Sequence, residues 1–385
     1  MHEAVIVSSV RTPIGRANKG ALKAIRADDL AATAVRGALD AVPQLDRARI
    51  EDLILGCAFP EGEQGMNLAR LITLLVGLPE TVAGVTINRF CASSLQAINM
   101  AAQAIMLGQG EAIIAAGVES MSRVPMGGFN PSFNPLLARH EACGFPDAYI
   151  PMGITAENVA TRYGISREEQ DAFALRSHRR AIEAADNGFF ARSIVPVTLP
   201  DGTQVTRDEG PRRDTSAERL AALEPAFIQG GTVTAGNASP LNDGAAACIV
   251  ISAELARELG LTPLARVRAM AVAGVAPEVM GIGPVPAVRK VLERAGIDTR
   301  DLDAIELNEA FAAQSLAVIR DLALDEARVN PHGGAIALGH PLGCSGARIM
   351  STLIDDLIAG DGTLGVATMC VGGGQGVATV IERLN

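Results

Sequence analysis

Val82-Ala83-Gly84-Val85-Thr86-Ile87 runs directly into Asn88-Arg89-Phe90-Cys91-Ala92-Ser93-Ser94-Leu95, and the hydrophobic period changes between the two. The first six residues are apolar and β-branched enough to predict a buried strand. Leu95, Ile98, Ala102, Ile105 and Met106 then recur at helical spacing as far as Gly108. Cys91 therefore falls where a strand turns into a helix. No charged residue lies between Cys91 and Gly110, so burial is expected around most of that helix. A thiol at its N-terminus would meet unpaired N–H groups and the positive end of the helix dipole, both of which favour thiolate. The plain alternative is one more small buried hydrophobe.

Outward from this pair, Ala4 to Ser9 reads as a strand, Leu30, Ala31, Val35 and Leu39 mark one face of a helix, and Ile50 to Gly56 is the next strand. A helix from about Met66 to Leu75 precedes the opening stretch, and the strand Ala112 to Gly117 follows it. Strands alternating with helices predict an α/β layered architecture. The pattern then repeats. Phe59 and Phe311, Asn88 and His340, Ser93 and Ser345, Gly108 and Gly360, and Gly110 and Gly362 are all separated by 252 residues. A constant offset predicts two similar α/β lobes, with a site at the seam where equivalent loops meet.

The boundaries expected are 1–119 for the first part of the N-terminal lobe, 120–230 for an inserted loop or lid domain, 231–262 for the rest of that lobe and 263–385 for the C-terminal lobe. Met121 to Met152 reads as loop, and Ser166 with Glu169 forms a capping box before a helix running to about Asn187. Gly153 to Asn158 and Thr232 to Ser239 read as glycine-bearing loops of a substrate lid.

At 385 residues, with 40 glycines, 48% apolar content and 20% charge, the chain has the composition of a compact globular protein larger than one ordinary core. The net charge of −10 argues against nucleic acid, and a 3% aromatic content with no Trp leaves no platform for stacking bases. Met1 leads almost at once into the first strand, which predicts no signal or transit peptide, and no apolar run approaches a membrane span. Cys57, Cys91, Cys143, Cys248, Cys344 and Cys370 are scattered without a C-x-x-C pair. That pattern predicts neither a metal site nor a disulfide framework, and suits a reducing cytoplasm.

Three stretches of the second half carry reactive groups: Asn308-Glu309-Ala310-Phe311, Gly339-His340-Pro341-Leu342-Gly343 and Cys370-Val371-Gly372-Gly373-Gly374. His340 stands at the repeat position of Asn88, three residues before its helix, so a pseudo-twofold would bring it toward Cys91. A cysteine with a histidine partner is the minimum for covalent acyl transfer. The glycines after Cys370 let backbone N–H groups approach a ligand, as an oxyanion hole requires. They are followed by the strand-like Val377 to Ile381 rather than a helix, which rejects a dinucleotide fingerprint. Glu309 reads as a buried acid in need of partners.

With these motifs in order, the whole chain resembles the thiolase family, and within it the degradative 3-ketoacyl-CoA thiolases. Cys91 stands in the family's nucleophile segment, Asn308 in its NEAF motif, His340 in its GHP motif and Cys370 with Gly372 in its CxG motif. The resemblance implies the thiolase fold: an αβαβα layering of two pseudo-twofold lobes with an inserted loop domain. It implies an acetyl-CoA C-acyltransferase working by ping-pong in β-oxidation. His340 would deprotonate Cys91, and Cys370 would act as the second acid and base. One oxyanion hole would come from the N–H groups of Cys91 and Gly372, the other from His340 with a water held by Asn308. Coenzyme A and acyl-CoA would be substrates, with no metal. Arg212 would lie near the adenine and phosphates, Ser239 on the pantetheine, and Met152, Phe227 and Phe311 at the acyl end.

A homodimer or homotetramer is implied, and a hydratase/dehydrogenase partner subunit is a possibility the family raises. Pro151 stands before Met152-Gly153 where biosynthetic members carry histidine, which tilts the reading away from acetoacetyl-CoA. Ala92 and Ser94 replace residues that are often glycine, and His332 replaces a common asparagine. Acetoacetyl-CoA and β-ketoadipyl-CoA thiolases remain alternatives with the same catalytic set. A non-catalytic carrier would have lost the nucleophile or the histidine, and a decarboxylating ketosynthase would need a second histidine beside its cysteine.

Overall fold

The computed structural model describes residues 2–138 and 148–384, so Cys143 lies outside the described residues. The strands used below are β1 (Ala4–Arg11), β2 (Ile50–Gly56), β3 (Ala83–Ile87), β4 (Ala112–Ser120), β5 (Asn242–Ser252), β6 (Ala265–Gly274), β7 (Ala304–Leu307), β8 (Leu364–Val371) and β9 (Gln375–Arg383). The main helices are α1 (Ala27–Asp40), α2 (Leu68–Leu75), α3 (Ser93–Met106), α4 (Met152–Tyr163), α5 (Arg167–Asp186), α6 (Pro284–Ala295), α7 (Ala312–Asp321) and α8 (Leu342–Ala359).

β3-β2-β4-β5-β1 forms one half of a sheet and β7-β8-β9-β6 the other. In each half a parallel pair (β2 with β4, β7 with β8) is followed by antiparallel neighbours. In the sheet the halves meet where Val5 pairs with Arg266 and Ile6 with Ala265. β4 and β5 are buried along their whole length, as their unbroken apolar runs require when helices cover both faces.

Three apolar clusters separate the layers. One packs α1 and α2 on the first half-sheet, with Leu30, Val35, Ile72 and Ile249 at its centre. The second encloses α3 and α8 between the two half-sheets, through Leu95, Ile98, Met350 and Leu353. The third packs α6 and α7 on the second half-sheet, through Val288, Val291, Leu316 and Val318. This is the αβαβα layering, and the 252-residue offset carries β2 onto β7, β4 onto β8 and α3 onto α8.

The repeat is imperfect at one place. The counterpart of β3 in the second half is the short helix Ala335–Leu338, not a strand. β3 itself ends the sheet, and it is half exposed rather than buried, with Val85 38% exposed. Its apolar, β-branched character reports strand propensity, and covering both faces needs neighbours that an edge strand lacks.

One reading of the segment between the halves also changes. Gly153 to Asn158 is not a loop but part of α4, and its buried Glu157 accepts from the Thr232 and Val233 N–H groups at 3.0 and 2.9 Å. The two stretches expected to be lid loops are thus tied together. The capping box of α5 forms as read, with Ser166 Oγ accepting from Glu169 N–H. No helix among the described residues is long and apolar enough to cross a membrane.

α3 and α8 cross almost backbone to backbone. A Cβ on Gly346 would stand 2.2 Å from Leu95 N, and where β4 meets the start of α8 one on Gly117 would stand 2.2 Å from Gly343 O. Ser94, at the crossing, uses its Oγ to accept from Ala347 N–H at 2.9 Å. Gly346→Ala is therefore expected to cost about 2 kcal/mol through overpacking. Gly274→Ala, whose Cβ would meet only Gly374 O at 3.9 Å, should change stability by no more than about 0.5 kcal/mol. Thermal unfolding of the two variants side by side checks the contrast.

Candidate active site

Cys91 occupies a single 3-10 turn, Phe90–Ala92, immediately before α3. Phe90 is held at φ +42°, a conformation that a bulky residue adopts only under constraint. The constraint is local. Asn88 Oδ1 accepts from Phe90 N–H at 2.8 Å, and Ser93 Oγ donates to Phe90 O at 2.6 Å while accepting from Arg89 N–H at 2.9 Å. The sulfur is half-buried against Ala58, Met121 and Leu342.

The N–H groups of Cys91 itself and of Gly372 are directed at the thiol, and Cys370 and Glu119 lie close enough to act on it electrostatically. Burial pushes the Cys91 thiol up to about 12, the Glu119 charge adds to that, and the two N–H groups pull the other way. The expectation of a thiolate at a helix N-terminus is therefore corrected for the free protein. Desolvation outweighs the donors, and the resting form is the thiol.

His340 lies in the turn between the short helix Ala335–Leu338 and α8. Gly339 before it has φ +110°, and a Cβ there would meet Asn242, whose Oδ1 accepts the His340 N–H at 2.9 Å. The imidazole Nδ1 is 2.6 Å from Ser345 Oγ, and that hydroxyl donates its own proton to Pro341 O at 2.9 Å. Ser345 must then accept from Nδ1–H, which leaves Nε2 as a lone pair, 3.4 Å from Asn308 Nδ2. Burial, with the Arg348 charge, lowers the His340 pKa to about 3, so the ring is neutral at physiological pH. Asn308 is fully buried, and its Oδ1 has no hydrogen-bond partner among the described residues.

Cys370 ends β8 and is buried, its thiol pushed up by burial and by its neighbour Cys91. The turn after it depends on glycine: Gly373 and Gly374 have φ of +77° and +82°. Cys370 shares an apolar cluster with Phe311, Ala238 and Met152. Phe227 packs edge-on to Phe311, with ring centroids 6.2 Å apart.

A cavity of about 460 Å³ opens beside this cluster, lined by Arg212, Arg16, Lys19, Arg219, His178 and Ala238 among others. It reaches the site along one strip of chain, where Ala238 bridges to Phe311 and Leu241 to His340. Ser239 lies on that strip, its N–H donating to Ala310 O at 3.0 Å.

The structure thus brings Cys91, Cys370 and the Gly372 amide together, and it places Asn308 against His340. Leu342, two residues beyond His340, packs on Cys91. Met152, Phe227 and Phe311 collect at one end and Arg212 lies in the cavity. His332 stacks on Phe189 at 3.6 Å with its Nδ1 2.6 Å from Asp356 Oδ1, so the spare histidine has other partners. Glu309 finds its partners in Ser177 Oγ, Asn330 Nδ2 and Ile336 N–H. Sequence reasoning passed over Ser345 and Glu119. An acid closing the otherwise apolar strand β4 was the signal for the second.

Family profiles described as the N-terminal and C-terminal domains of thiolase match residues 4–254 and 261–383. The chain belongs to the thiolase family. Among thiolase relatives it is 50% identical to the 3-ketoacyl-CoA thiolase of Bacillus subtilis, over 99% of this chain and 100% of that one. It is also 50% identical to a β-ketoadipyl-CoA thiolase of Escherichia coli, with both chains fully covered. The crystal structure of the Bacillus anthracis acetyl-CoA acetyltransferase superposes with a TM-score of 0.92 at 44% identity, over 100% of this chain and 99% of that one.

With the His340 pKa lowered to about 3, its imidazole should not titrate between pH 5 and 8. Imidazole 15N resonances of the labelled protein, assigned with His340→Asn, should show protonated Nδ1 and unprotonated Nε2 throughout that range. A signal that moves with a midpoint near the ordinary value of about 6.5 would contradict the geometry.

Proposed function

We propose that this thiolase cleaves 3-ketoacyl-CoA with free CoA, releasing acetyl-CoA and an acyl-CoA two carbons shorter, through an acyl thioester on Cys91. The observation that carries the reading is the convergence of the Cys91 and Gly372 N–H groups on one sulfur, with a second thiol, Cys370, beside it.

The His340 Nε2 lone pair takes the Cys91 proton as the sulfur attacks the 3-keto carbon. Because the resting pair is thiol and neutral imidazole, proton transfer accompanies attack and no free thiolate accumulates. The N–H groups of Cys91 and Gly372 stabilise the oxygen that becomes negative. Cleavage of the C2–C3 bond leaves the enolate of acetyl-CoA. Nε2, now protonated, donates to the enolate oxygen, together with a water held by Asn308. Cys370 then protonates the carbon, and acetyl-CoA leaves. In the second half Cys370 takes the proton of incoming CoA, whose sulfur attacks the acyl-enzyme, and Cys91 recovers its proton from His340.

The cationic cavity lined by Arg212, Arg16, Lys19 and Arg219 suits the phosphates and adenine of CoA, and the strip carrying Ser239 suits its pantetheine arm. The acyl end, framed by Met152, Phe227 and Phe311, is apolar. A terminal carboxylate there would be costly without a cation, so this end favours plain aliphatic chains over 3-oxoadipyl-CoA. The described part of the segment 120–230 acts as the cover over the seam. Leu71, Leu74 and Leu75 of α2 and Val85 of the edge strand β3 are exposed together, which supports a homo-oligomer. The free cysteines suit the cytoplasm.

Thiolysis rates across 3-ketoacyl-CoA chain lengths, with 3-oxoadipyl-CoA alongside, test the substrate class. Activity confined to acetoacetyl-CoA or to the dicarboxylate would overturn it. Cys91→Ser should abolish acylation by acetyl-CoA, whereas Cys370→Ala should still accept an acetyl group on Cys91, as read by intact mass and peptide mapping. Asn308→Ala should lower kcat by about a hundredfold or more, the usual loss for one oxyanion-hole donor.

A further inference from the structure

Glu119 closes β4 with a fully buried carboxylate that the steps above leave without a role. Its Oε2 accepts from Ala58 N–H at 2.8 Å and Gly343 N–H at 2.9 Å. Its Oε1 accepts from Gln64 Nε2 at 2.7 Å and Phe59 N–H at 3.2 Å, with the Cys57 thiol at 3.7 Å. Every partner is a donor. Burial pushes this acid upward, and the backbone and Gln64 donors pull it back; a set of donors is what a carboxylate's acceptor oxygens require.

The donors come from both lobes. Ala58 forms part of the patch beneath the Cys91 sulfur, and its carbonyl accepts from Asn88 Nδ2 at 2.9 Å, which ties it to the nucleophile stretch. Gly343 is the third residue after His340. The approach leaves no room for a larger residue there: a Cβ on Gly343 would stand 2.5 Å from Val118 O and 2.9 Å from Glu119 Oε2. One buried carboxylate therefore holds the loop under the nucleophile to the turn that presents the base.

We propose that Glu119 is a positioning residue for acyl transfer, which clasps the Cys91 loop to the His340 turn across the seam. The inference rests on the assignment of Cys91 as nucleophile.

Glu119→Gln replaces one acceptor oxygen by an NH2 group that confronts N–H donors. In the full-length protein, kcat for thiolysis of acetoacetyl-CoA should fall about a hundredfold, as small misplacements of reacting groups do, while KM for CoA changes by less than about threefold. A folded Gln variant with the parent kcat overturns the proposal. Should that variant fail to fold, Glu119→Asp decides. It keeps the acceptor oxygens and shortens the clasp, so kcat should fall about tenfold or more, and a parent-like kcat overturns the proposal. Acetylation of Cys91 in the parent protein is measured first. Its absence would remove the nucleophile assignment itself, whereas an acetylated parent beside an indifferent Gln variant removes only the role of Glu119.

Discussion

Two helices that cannot be pushed apart govern this molecule. α3 and α8 lie between the half-sheets with Gly346 against the Leu95 backbone, and α8 begins with Gly343 against Val118 O of β4, separations that admit no side chain. Each helix begins beside a residue that the proposed reaction uses, Cys91 just before α3 and His340 just before α8. Close contact of the helices therefore sets the relation of the two groups, and no loop has to find that geometry by itself. Precision of this kind is what positioning reactants demands, since catalytic groups on rigid elements lose little on binding.

The same burial that gives precision also sets the charge states. Desolvation raises both thiols, lowers His340 and leaves the resting site without a reactive ion. Reactivity then depends on coupled proton movement between groups whose orientation is fixed beforehand. Ser345 fixes the tautomer by giving its hydroxyl proton to Pro341 O, and Asn308 meets the free nitrogen. Glu119, buried in the same region, accepts from four N–H donors rather than pairing with a cation. It can therefore be buried without a partner charge.

Much of this was legible in the chain. The change of period at Ile87, the uncharged run after Cys91 and the 252-residue offset led to the layers, the lobes and the place of the site, because burial writes itself into hydrophobic spacing. Four motifs in order led to the family. Less legible were features that depend on neighbours from distant sequence. β3 has the composition of a buried strand but sits at the edge. Its repeat counterpart is a short helix, because Ala335 to Leu338 must instead carry the chain into the His340 turn. Gly153 to Asn158 was misread as loop because its glycine hides a helix that Glu157 ties to Thr232.

Residue spacing by itself determined most of the strands and helices and that the chain holds two similar halves, and the four motifs, through their resemblance to the thiolases, pointed to Cys91, His340 and Cys370. Tertiary structure alone decided how those groups are charged and oriented. The protonation of Cys91, the tautomer of His340 and the convergence of donors on Glu119 arise from atoms brought together across the seam. Desolvation and hydrogen bonding act through space, so residues hundreds of positions apart settle what no local pattern encodes.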